Sequence, residues 1–369
     1  MQSPSMSNET NINCSIDHNI HQYLFSGVYI IVLAIGLPAN IFSLHHGWQQ
    51  WKAKNELGIY LINLTVSDLL YLASLPLWLQ YIFLGDDWRH QEWLCKVCGF
   101  LLYENIYISI GFMCCISVDR YLAVVYPLRF HWLRSRRAAV LVSIFIWFKE
   151  IGVSISFFVH KELSQDQNNH SICFEHYPMK DWEHSVNYYR FFIGYLFPLC
   201  ILTISYFRVL RAVNKSTGTL TSQKVRIKSL VSGTILIFLL CFSPYHFFLL
   251  VRTILEKECS FIEKIFNFYH VSLLLTSFNC IADPVLYCFV SETNQKMILR
   301  MKNYCMQLLC CKKAENMDST ENNTPDQTGT VLAFLPVNED AWGGSEDRIL
   351  SFKAAGQNRD KLLMEKSII

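Results

Sequence analysis

The feature that most constrains the fold of this chain is a series of seven long apolar segments. They lie at about residues 24–47, 57–82, 95–126, 138–160, 187–211, 226–252 and 264–289. Each is close to or above the roughly 20 residues that an α-helix needs to cross a lipid bilayer. Only 17% of the 369 residues are charged, whereas soluble domains carry about a quarter. The sequence therefore predicts an all-α membrane protein that folds as a seven-transmembrane helix bundle.

The segments outside these helices are polar. The first 22 residues lack the apolar run of a cleavable signal peptide. Apolar side chains recur at helical spacing between residues 292 and 309 and alternate with lysine and arginine, a pattern typical of an amphipathic helix on the inner leaflet. We therefore predict an extracellular N-terminus at 1–22, the bundle at 23–290, a short amphipathic cytoplasmic helix eight at 291–311 and a disordered cytoplasmic tail at 312–369. Cys305, Cys310 and Cys311 are predicted palmitoylation sites.

The distribution of charge predicts the orientation of the bundle. The segments that follow helices one, three and five are basic; they contain Lys52, Lys54, Arg129, Arg134, Arg136, Arg137, Lys215, Lys224, Arg226 and Lys228. The loops on the opposite side are rich in aspartate and glutamate. Cytoplasmic loops carry the excess of lysine and arginine, so the N-terminus is predicted to be extracellular. The sequons at Asn8, Asn13 and Asn169 fall on that side and are predicted glycosylation sites.

Histidines are concentrated on the predicted outer side. Six of the 12 lie in outer segments: His18, His21, His90, His170, His176 and His184. Three more, His160, His246 and His270, lie in the outer halves or at the outer ends of helices. An unperturbed histidine has a pKa of about 6.5 and changes charge within the range of tissue acidification. The asymmetry favours a response to extracellular pH, although lone histidines are also common on surfaces.

The motif "SVDRYLAVVYP" ends the third apolar segment. Arg120 lies 25 residues beyond Cys95, which is roughly 37 Å along a helix and reaches the inner face. Further motifs stand in register on either side of it: "GLPAN" with Asn40 and "NLTVSDLL" with Asp68 before it, then Trp147, Pro198, "CFSPYH" with Pro244, and "DPVLY" from Asp283 to Tyr287. Together they resemble the rhodopsin-like (class A) G-protein-coupled receptors over about residues 23–309. The resemblance implies that Asp119, Arg120, Tyr121 and Tyr287 serve G-protein coupling.

The finer pattern is similar to the proton-sensing branch of that family. The similarity rests on "NELGIYLINL", "LPLWLQY", "YENIYISIGFMCCISVDRYLAVVYPLRF", "CFEHYP" and "LLLTSFNCIADPVLYCFVSET". Phe242 and Asp283 stand where most class A receptors have tryptophan and asparagine, as in this branch. Gly85 departs from the branch, whose members often have histidine there. The resemblance implies a plasma-membrane receptor with Gq-type G proteins, phospholipase C and calcium output, Gs as a second partner, and arrestin.

Two disulfides are expected in the oxidising extracellular compartment. The resemblance implies a bridge between Cys95, at the outer start of helix three, and Cys173 in the long outer loop. The alternative is two free thiols. A second bridge between Cys14 and Cys259 would tie the N-terminus, with His18 and His21, to the last outer loop.

Four carboxylates lie within the apolar segments: Asp68, Glu104, Glu150 and Asp283. Charges at the centre of a bilayer cost several kcal/mol, so these side chains should face the interior and pair, hydrate or bind protons. Asp68 and Asp283 resemble the sodium-and-water pocket of the family, which makes sodium a candidate ion besides protons. The alternative is a set of static, hydrogen-bonded acids that stay neutral at every relevant pH.

The expected function is a receptor that extracellular protons activate. Shifting a two-state protein from 1:99 to 99:1 takes about 5.5 kcal/mol, and one pKa unit of difference between states supplies about 1.36 kcal/mol. About four groups therefore suffice, and acid activates if their pKa is higher in the active state. The predicted proton-sensing set is His18, His21, His160, His170, His176, His246, His270, Asp68, Glu150, Asp283 and Glu175.

Two other functions compete with this interpretation. A receptor for a lysolipid or peptide would use pH as a modulator only, and Arg190 and Arg252 would clamp an anionic head group. A proton transporter or retinal pump is disfavoured, because the seventh segment has lysine only at its outer edge, Lys264, and no repeat is found. No enzyme motif is found, and a net charge of +2 gives no indication of nucleic-acid binding. The end of the chain, "KSII", fits the pattern of a ligand for a PDZ domain.

Overall fold

The computed structural model describes residues 19–127, 129–130, 132–160, 163–165, 170–174, 179–216, 221–256 and 259–290. Its helices are α1 Asn19–Lys52, α2 Leu57–Phe83, α3 Glu92–Val125, α4 Arg136–Val159, α5 Asp181–Phe191, α6 Phe197–Lys215, α7 Thr221–Ile237, α8 Ser243–Leu255, α9 Cys259–Thr276 and α10 Asn279–Val290. Within this part of the chain, seven helical stretches are long and apolar enough to cross a membrane. The predicted fold class is confirmed.

Three of the seven spans are not continuous α-helices, and the seventh is divided between α9 and α10. The fifth consists of α5, a π-helical turn at Phe192–Leu196 and α6, and the sixth consists of α7, a second π-helical turn at Phe238–Phe242 and α8. A proline lies at the start of both α6 and α8. Proline lacks the N–H that continues the helical ladder and clashes with the preceding turn. The π-helical turns therefore accommodate Pro198 and Pro244, a detail that the hydropathy pattern did not predict.

The loop between α4 and α5 contains a short β-hairpin that the sequence did not predict. Strand β1, Leu163–Gln165, pairs antiparallel with strand β2, Ser171–Cys173, and Leu163 lies opposite Cys173. Cys173 forms a disulfide with Cys95 at the start of α3. The predicted bridge is confirmed, and it holds β2 over one end of the bundle. We call this end, which carries the Cys95–Cys173 disulfide, the outer end, and the opposite one the inner end.

The interior of the bundle is packed around α3. This helix contacts α2, α4 and α6, and its side chains Ile106, Ile110 and Met113 are almost fully buried. Large apolar side chains also lie on the outside of the bundle; on α4, Leu141, Phe145 and Phe148 are exposed. Apolar surface of this kind suits contact with lipid acyl chains, whereas a soluble protein rarely exposes so much of it.

Several predicted sites lie outside the described residues. They are the glycosylation sites Asn8, Asn13 and Asn169, the disulfide partner Cys14, the palmitoylation sites Cys305, Cys310 and Cys311, helix eight and the C-terminal "KSII". Cys259 begins α9, but its side chain is not among those described, so the Cys14–Cys259 bridge stays a prediction.

Candidate functional site

A cavity of about 130 Å³ opens at the outer end between α1, α2, α3, α5, α8 and α9. Its deep wall contains Arg190, which is buried. The Arg190 guanidinium lies 3.8 Å from the centroid of the Tyr103 ring and 5.6 Å from that of Tyr107. Cation–π contacts of this kind stabilise a desolvated cation by about 2 kcal/mol. The predicted clamp residues Arg190 and Arg252 both line the cavity.

The β-hairpin closes part of this cavity from outside. Phe174, with a φ of 66°, directs its ring onto Gly99 of α3. A Cβ atom on Gly99 would lie 2.1 Å from Phe174 Cε2, so only glycine allows the ring this position. The first outer loop holds the hairpin from the other side, because Trp88 N donates to Ser171 O at 2.7 Å and Ser171 N donates to Asp87 Oδ1 at 3.1 Å.

We expect Gly99→Ala to displace the Phe174 ring and to loosen the hairpin over the cavity. The purified protein should then melt at a lower temperature, and a cysteine label introduced at the cavity wall should react faster. Gly152→Ala in α4 is the matched control, because a Cβ there meets no atom within 4 Å and alanine favours helix by about 1 kcal/mol. A Gly99→Ala protein that melts and labels like the control would contradict the packing described.

Asp87 also carries a charge pair at this rim. Arg89 Nε donates to Asp87 Oδ2 at 2.9 Å. This hydrogen bond is the larger cause of a lowered pKa of Asp87, and the hydrogen bond from Ser171 N is the second cause. His170 lies close enough to Asp87 to interact with it electrostatically. His170 therefore has an anionic neighbour at the rim.

Further histidines have distinct partners along the outer end. His184 Nδ1 donates to the carbonyl of Thr253 at 3.0 Å, which links α5 to the last turn of α8. His270 lines the cavity and its Nδ1 donates to Phe266 O at 3.0 Å. His160 stacks on Trp182, with ring centroids 4.3 Å apart. The structure thus spreads these histidines along the rim.

His246 lies deeper than the other histidines. It is fully buried and stacks on Tyr195, with centroids 4.3 Å apart, between the two π-helical turns. Its Nδ1 donates to Phe242 O at 2.7 Å. Among the described residues, its Nε2 has no hydrogen-bond partner. The imidazole therefore joins α8 to the first π-helical turn of the fifth span.

Four predicted sensing residues are outside this description. His18, His176 and Glu175 are not among the described residues, and His21 belongs to the first turn of α1 without a described side chain. The proposed grouping of His18 and His21 with His170, His176 and His270 therefore stays a prediction.

The carboxylates in the bundle form two groups. Asp68 and Asp283 are fully buried and lie close enough to interact electrostatically. Asn105 Nδ2 donates to Asp68 Oδ1 at 2.8 Å. Asp68 Oδ2 and both Asp283 oxygens have no hydrogen-bond partner within the described part of the chain. Three buried carboxylate oxygens in one region suit a proton or a small cation.

The second group joins α3 to α4. Glu104 accepts a 2.7 Å hydrogen bond from Ser154 Oγ, and its Oε2 has no partner among the residues described. Glu150 is near Glu104 and forms an ion pair with Lys149. The structure brings Glu104 into the same group as the predicted sensor Glu150, although the sequence did not single out Glu104 for sensing.

The inner end carries a network of four charged residues. Arg120 Nη2 donates to Asp119 Oδ2 at 2.8 Å, and Arg134 Nε donates to Asp119 Oδ1 at 3.2 Å. Arg134 Nη2 also donates to Glu56 Oε1 at 3.2 Å. Burial, helped by the negative charge of Asp119, raises the pKa of Glu56, and Arg134 acts in the opposite direction. The network fixes Arg120 at the end of α3.

The predicted coupling residues are only partly described. Asp119 and Arg120 lie in the network, and Tyr121 contacts Tyr126 with ring centroids 5.7 Å apart. Tyr287 belongs to α10, but its side chain is outside the described set.

A second link between the α5 segment and the end of α8 was not predicted from the sequence. Arg252 and Glu256 form an ion pair on α8, and Glu256 Oε1 accepts a 2.8 Å hydrogen bond from Met179 N. The bond ties the start of the α5 segment to the end of α8. The i, i+4 spacing of Arg252 and Glu256 is visible in the sequence, but the contact with Met179 is not.

Comparison with known proteins gives a consistent result. Residues 39–287 match the family described as 7 transmembrane receptor (rhodopsin family). G-protein coupled receptor 68 of Mus musculus is 56% identical over 304 residues, which cover 82% of this chain and 83% of that protein. G-protein coupled receptor 65 of Homo sapiens is 40% identical over 78% of this chain and 89% of its own length. Lysophosphatidic acid receptor 6 of Mus musculus is 32% identical over 89% and 97%.

Proposed function

Because the chain belongs to the rhodopsin family of seven-transmembrane receptors, we propose that it is a plasma-membrane receptor that extracellular protons activate. Members of this family are receptors and not enzymes, and they act through heterotrimeric G proteins. The outer end, with the cavity and the disulfide, faces the extracellular fluid, and the inner charge network faces the cytoplasm. Gq-type proteins are the main partner, with Gs as a second partner and arrestin as a regulator.

The observation that carries this proposal is the set of buried carboxylate oxygens on Asp68 and Asp283 that have no hydrogen-bond partner among the described residues. Bare charge in the interior of a membrane protein is costly unless it is paired, hydrated or protonated. A proton bound there therefore stabilises a bundle arrangement that keeps both side chains dry. Acid increases the population of that arrangement if it binds the proton more tightly than the competing arrangement does, and the size of the increase depends on this difference in affinity.

The outer histidines add to the same response. His184 donates to a carbonyl in the last turn of α8, where the helix dipole favours a positive charge. His170 has Asp87 as an anionic neighbour. A positive charge on either imidazole is stabilised wherever such a partner is held. Acid activates if the active arrangement retains more of these contacts than the resting one.

Sodium is proposed as a competitor of protons at the carboxylates. Asp68, Asp283, Asn105 and Ser109 supply oxygen atoms, and Asn279 Nδ2 donates to Asn105 and Ser109 at 3.3 and 3.2 Å. Oxygen atoms of this kind suit a hard cation, and the negative charge of the two carboxylates fits its positive charge. A bound sodium ion would supply positive charge at Asp68 and Asp283.

His184 gives a test of the histidine contribution. We expect His184→Gln to shift acid activation to lower pH, because an amide keeps a donor for the Thr253 carbonyl but adds no charge. His184→Arg should shift activation to higher pH, because its charge is permanent. The shift should correspond to a change of about tenfold in the activation equilibrium if the histidine contributes one pKa unit. Calcium release titrated with extracellular pH measures both variants at matched surface expression.

The matched control for this pair is His45→Gln on α1. His45 lies near the inner end and contacts Gln49, so its replacement should leave the titration unchanged. Equal midpoints for His184→Gln, His184→Arg and the unmodified receptor would show that the bond to Thr253 is structural only.

A lysolipid receptor is the second candidate, and one observation favours it. Arg190 and Arg252 line the outer cavity, and a relative that is 32% identical carries the name lysophosphatidic acid receptor. Arg252 is paired with Glu256, however, and Arg190 lies against tyrosine rings. An anionic head group would have to displace these contacts, whereas a proton would not.

Second-messenger output in transfected cells separates the two candidates. Cells are washed in lipid-free medium, and calcium and cyclic AMP are recorded as extracellular pH alone is lowered. The proposal predicts a graded response that mock-transfected cells lack. A response that requires an added lipid at every pH would favour the lysolipid receptor.

A further inference from the structure

Two tryptophans and four cations share one surface at the inner end, where α1 ends and α4 begins. This basic–aromatic surface consists of Trp48, Trp51, Lys52, Lys54, Arg136 and Arg137. The two indole rings are 4.7 Å apart between centroids. Lys52 Nζ lies 5.5 Å from the centroid of the Trp48 ring, and the Arg136 guanidinium lies 5.2 Å from that of Trp51. Trp48 thus contacts a cation of its own helix, Lys52 of α1, and Trp51 contacts Arg136 of α4.

Close packing of α1 against α2 fixes the position of Trp51. A Cβ on Gly58 would lie 2.5 Å from the backbone nitrogen of Trp51, so glycine is needed for this approach. Trp51 is half-buried and packs against the apolar cluster between α2, α3 and α4, whereas Trp48 is 46% exposed. The surface is thus anchored on one side and open on the other.

Within the part of the chain that the structure describes, acidic side chains do not neutralise the positive charge of this surface. Arg134 nearby has Asp119 and Glu56 as partners. Within the described residues, in contrast, Lys52, Lys54, Arg136 and Arg137 have no acidic side chain within salt-bridge distance. Two of these cations lie in the first turn of α4, where the helix dipole favours negative charge. An external anion would relieve this repulsion.

We propose that the basic–aromatic surface binds the head group of a polyphosphorylated inositol lipid from the inner leaflet. The first membrane span ends at Lys52 and the fourth begins at Arg136, so the cations lie at the level of the lipid phosphates. Tryptophan is enriched at that level, and clusters of four or more cations beside a membrane helix attract anionic lipids. A phosphomonoester carries a charge of about −1.5 to −2, so one such head group matches several cations. The assignment to the inner leaflet rests on the orientation proposed above.

Lipid binding by the purified receptor in phosphatidylcholine nanodiscs tests this proposal. A fluorescent phosphatidylinositol bisphosphate is titrated into discs with the unmodified receptor, K52Q/K54Q/R136Q/R137Q, or the control R211Q/K215Q/K224Q/K228Q. The control removes four cations from the inner ends of α6 and α7. We expect the first variant to lose affinity by roughly fivefold per cation, the effect of a basic residue near an anionic surface, and the control to lose much less. W48A/W51A should lose affinity although its charge is unchanged.

Three outcomes of the same binding measurements would reject the proposal. Equal losses in the two quadruple variants would show diffuse attraction and no site. Equal affinity for phosphatidylserine would exclude a polyphosphorylated head group, and equally tight binding of soluble inositol trisphosphate would exclude the lipid as the source. Melting temperatures in pure phosphatidylcholine identify a variant that is misfolded. If K52Q/K54Q/R136Q/R137Q is misfolded, the comparison of W48A/W51A with the control variant tests the proposal instead. The assay contains no G protein and is run at constant pH, so its outcome is independent of proton sensing.

Discussion

Replacement of Arg120 with alanine is expected to abolish signalling while the receptor still reaches the cell surface. Arg120 is buried and held by Asp119. When the arginine is removed, Asp119 keeps its ion pair with Arg134, so the variant does not leave a buried carboxylate without a partner. The fold should therefore tolerate the change.

The loss of signalling follows from the position of Arg120 at the inner end, where we propose that it contacts the G protein. Truncating a charged residue that is buried at such an interface costs about 2–5 kcal/mol, which corresponds to a fall of roughly thirtyfold or more in coupling. Asp119→Asn is the informative counterpart, because it weakens the contact that holds Arg120 in the resting position and should raise basal activity. Calcium and cyclic AMP are measured at matched surface expression. Full acid responses in Arg120→Ala cells would refute this role.

Asp283→Asn is expected to activate the receptor at alkaline pH and to flatten its acid response. Both carboxylate oxygens of Asp283 lack a partner among the described residues, and Asp68 is an acidic neighbour. Asparagine has nearly the same shape as aspartic acid and carries no charge, so it imitates the protonated side chain. Removing one such group should change the activation equilibrium by about tenfold for each pKa unit it supplied.

The controls for Asp283→Asn separate charge from shape. Asp283→Glu keeps the titrating group and should keep a pH response. Glu150→Gln should act in the same direction as Asp283→Asn but is less simple to interpret, since it also removes the partner of Lys149. The rival location of the switch is the outer end. If the combined replacement of His18, His21 and His270 with phenylalanine moves the midpoint to lower pH while Asp283→Asn titrates like the unmodified receptor, the buried acids are not the sensor.

The sequence predicted those features that depend on length, hydropathy and motif. Seven apolar segments near 20 residues each have few alternatives to crossing a membrane, and the structure has seven such stretches in the part it describes. The resemblance predicted the Cys95–Cys173 bridge. The interior position of Asp68, Glu150 and Asp283 follows from the cost of exposing charge to lipid, and all three are buried.

Features that depend on contacts between distant residues could not be predicted. His184 and Thr253 are 69 positions apart, and nothing in the local sequence pairs them. Arg134 appeared in the sequence only as one of several inner cations, yet it lies between Glu56 and Asp119. The β-hairpin is too short to give a periodic pattern, and the π-helical turns depend on local backbone packing near the prolines. The first two of these features require the positions of two or more helices, and the other two require the local path of the backbone.

The central claim is that acid at the outer end is sufficient for activation. Purified receptor and Gq-type protein are reconstituted in lipid-defined vesicles with the pH buffered separately on the two sides, and nucleotide exchange on the G protein is measured. The Arg120→Ala receptor serves as the control for direct effects of pH on the G protein. The account predicts that exchange rises when only the side that carries the Cys95–Cys173 disulfide is acidified, with no other ligand present. An unchanged rate under that condition, or a rise only after acidification of the inner side, would contradict it.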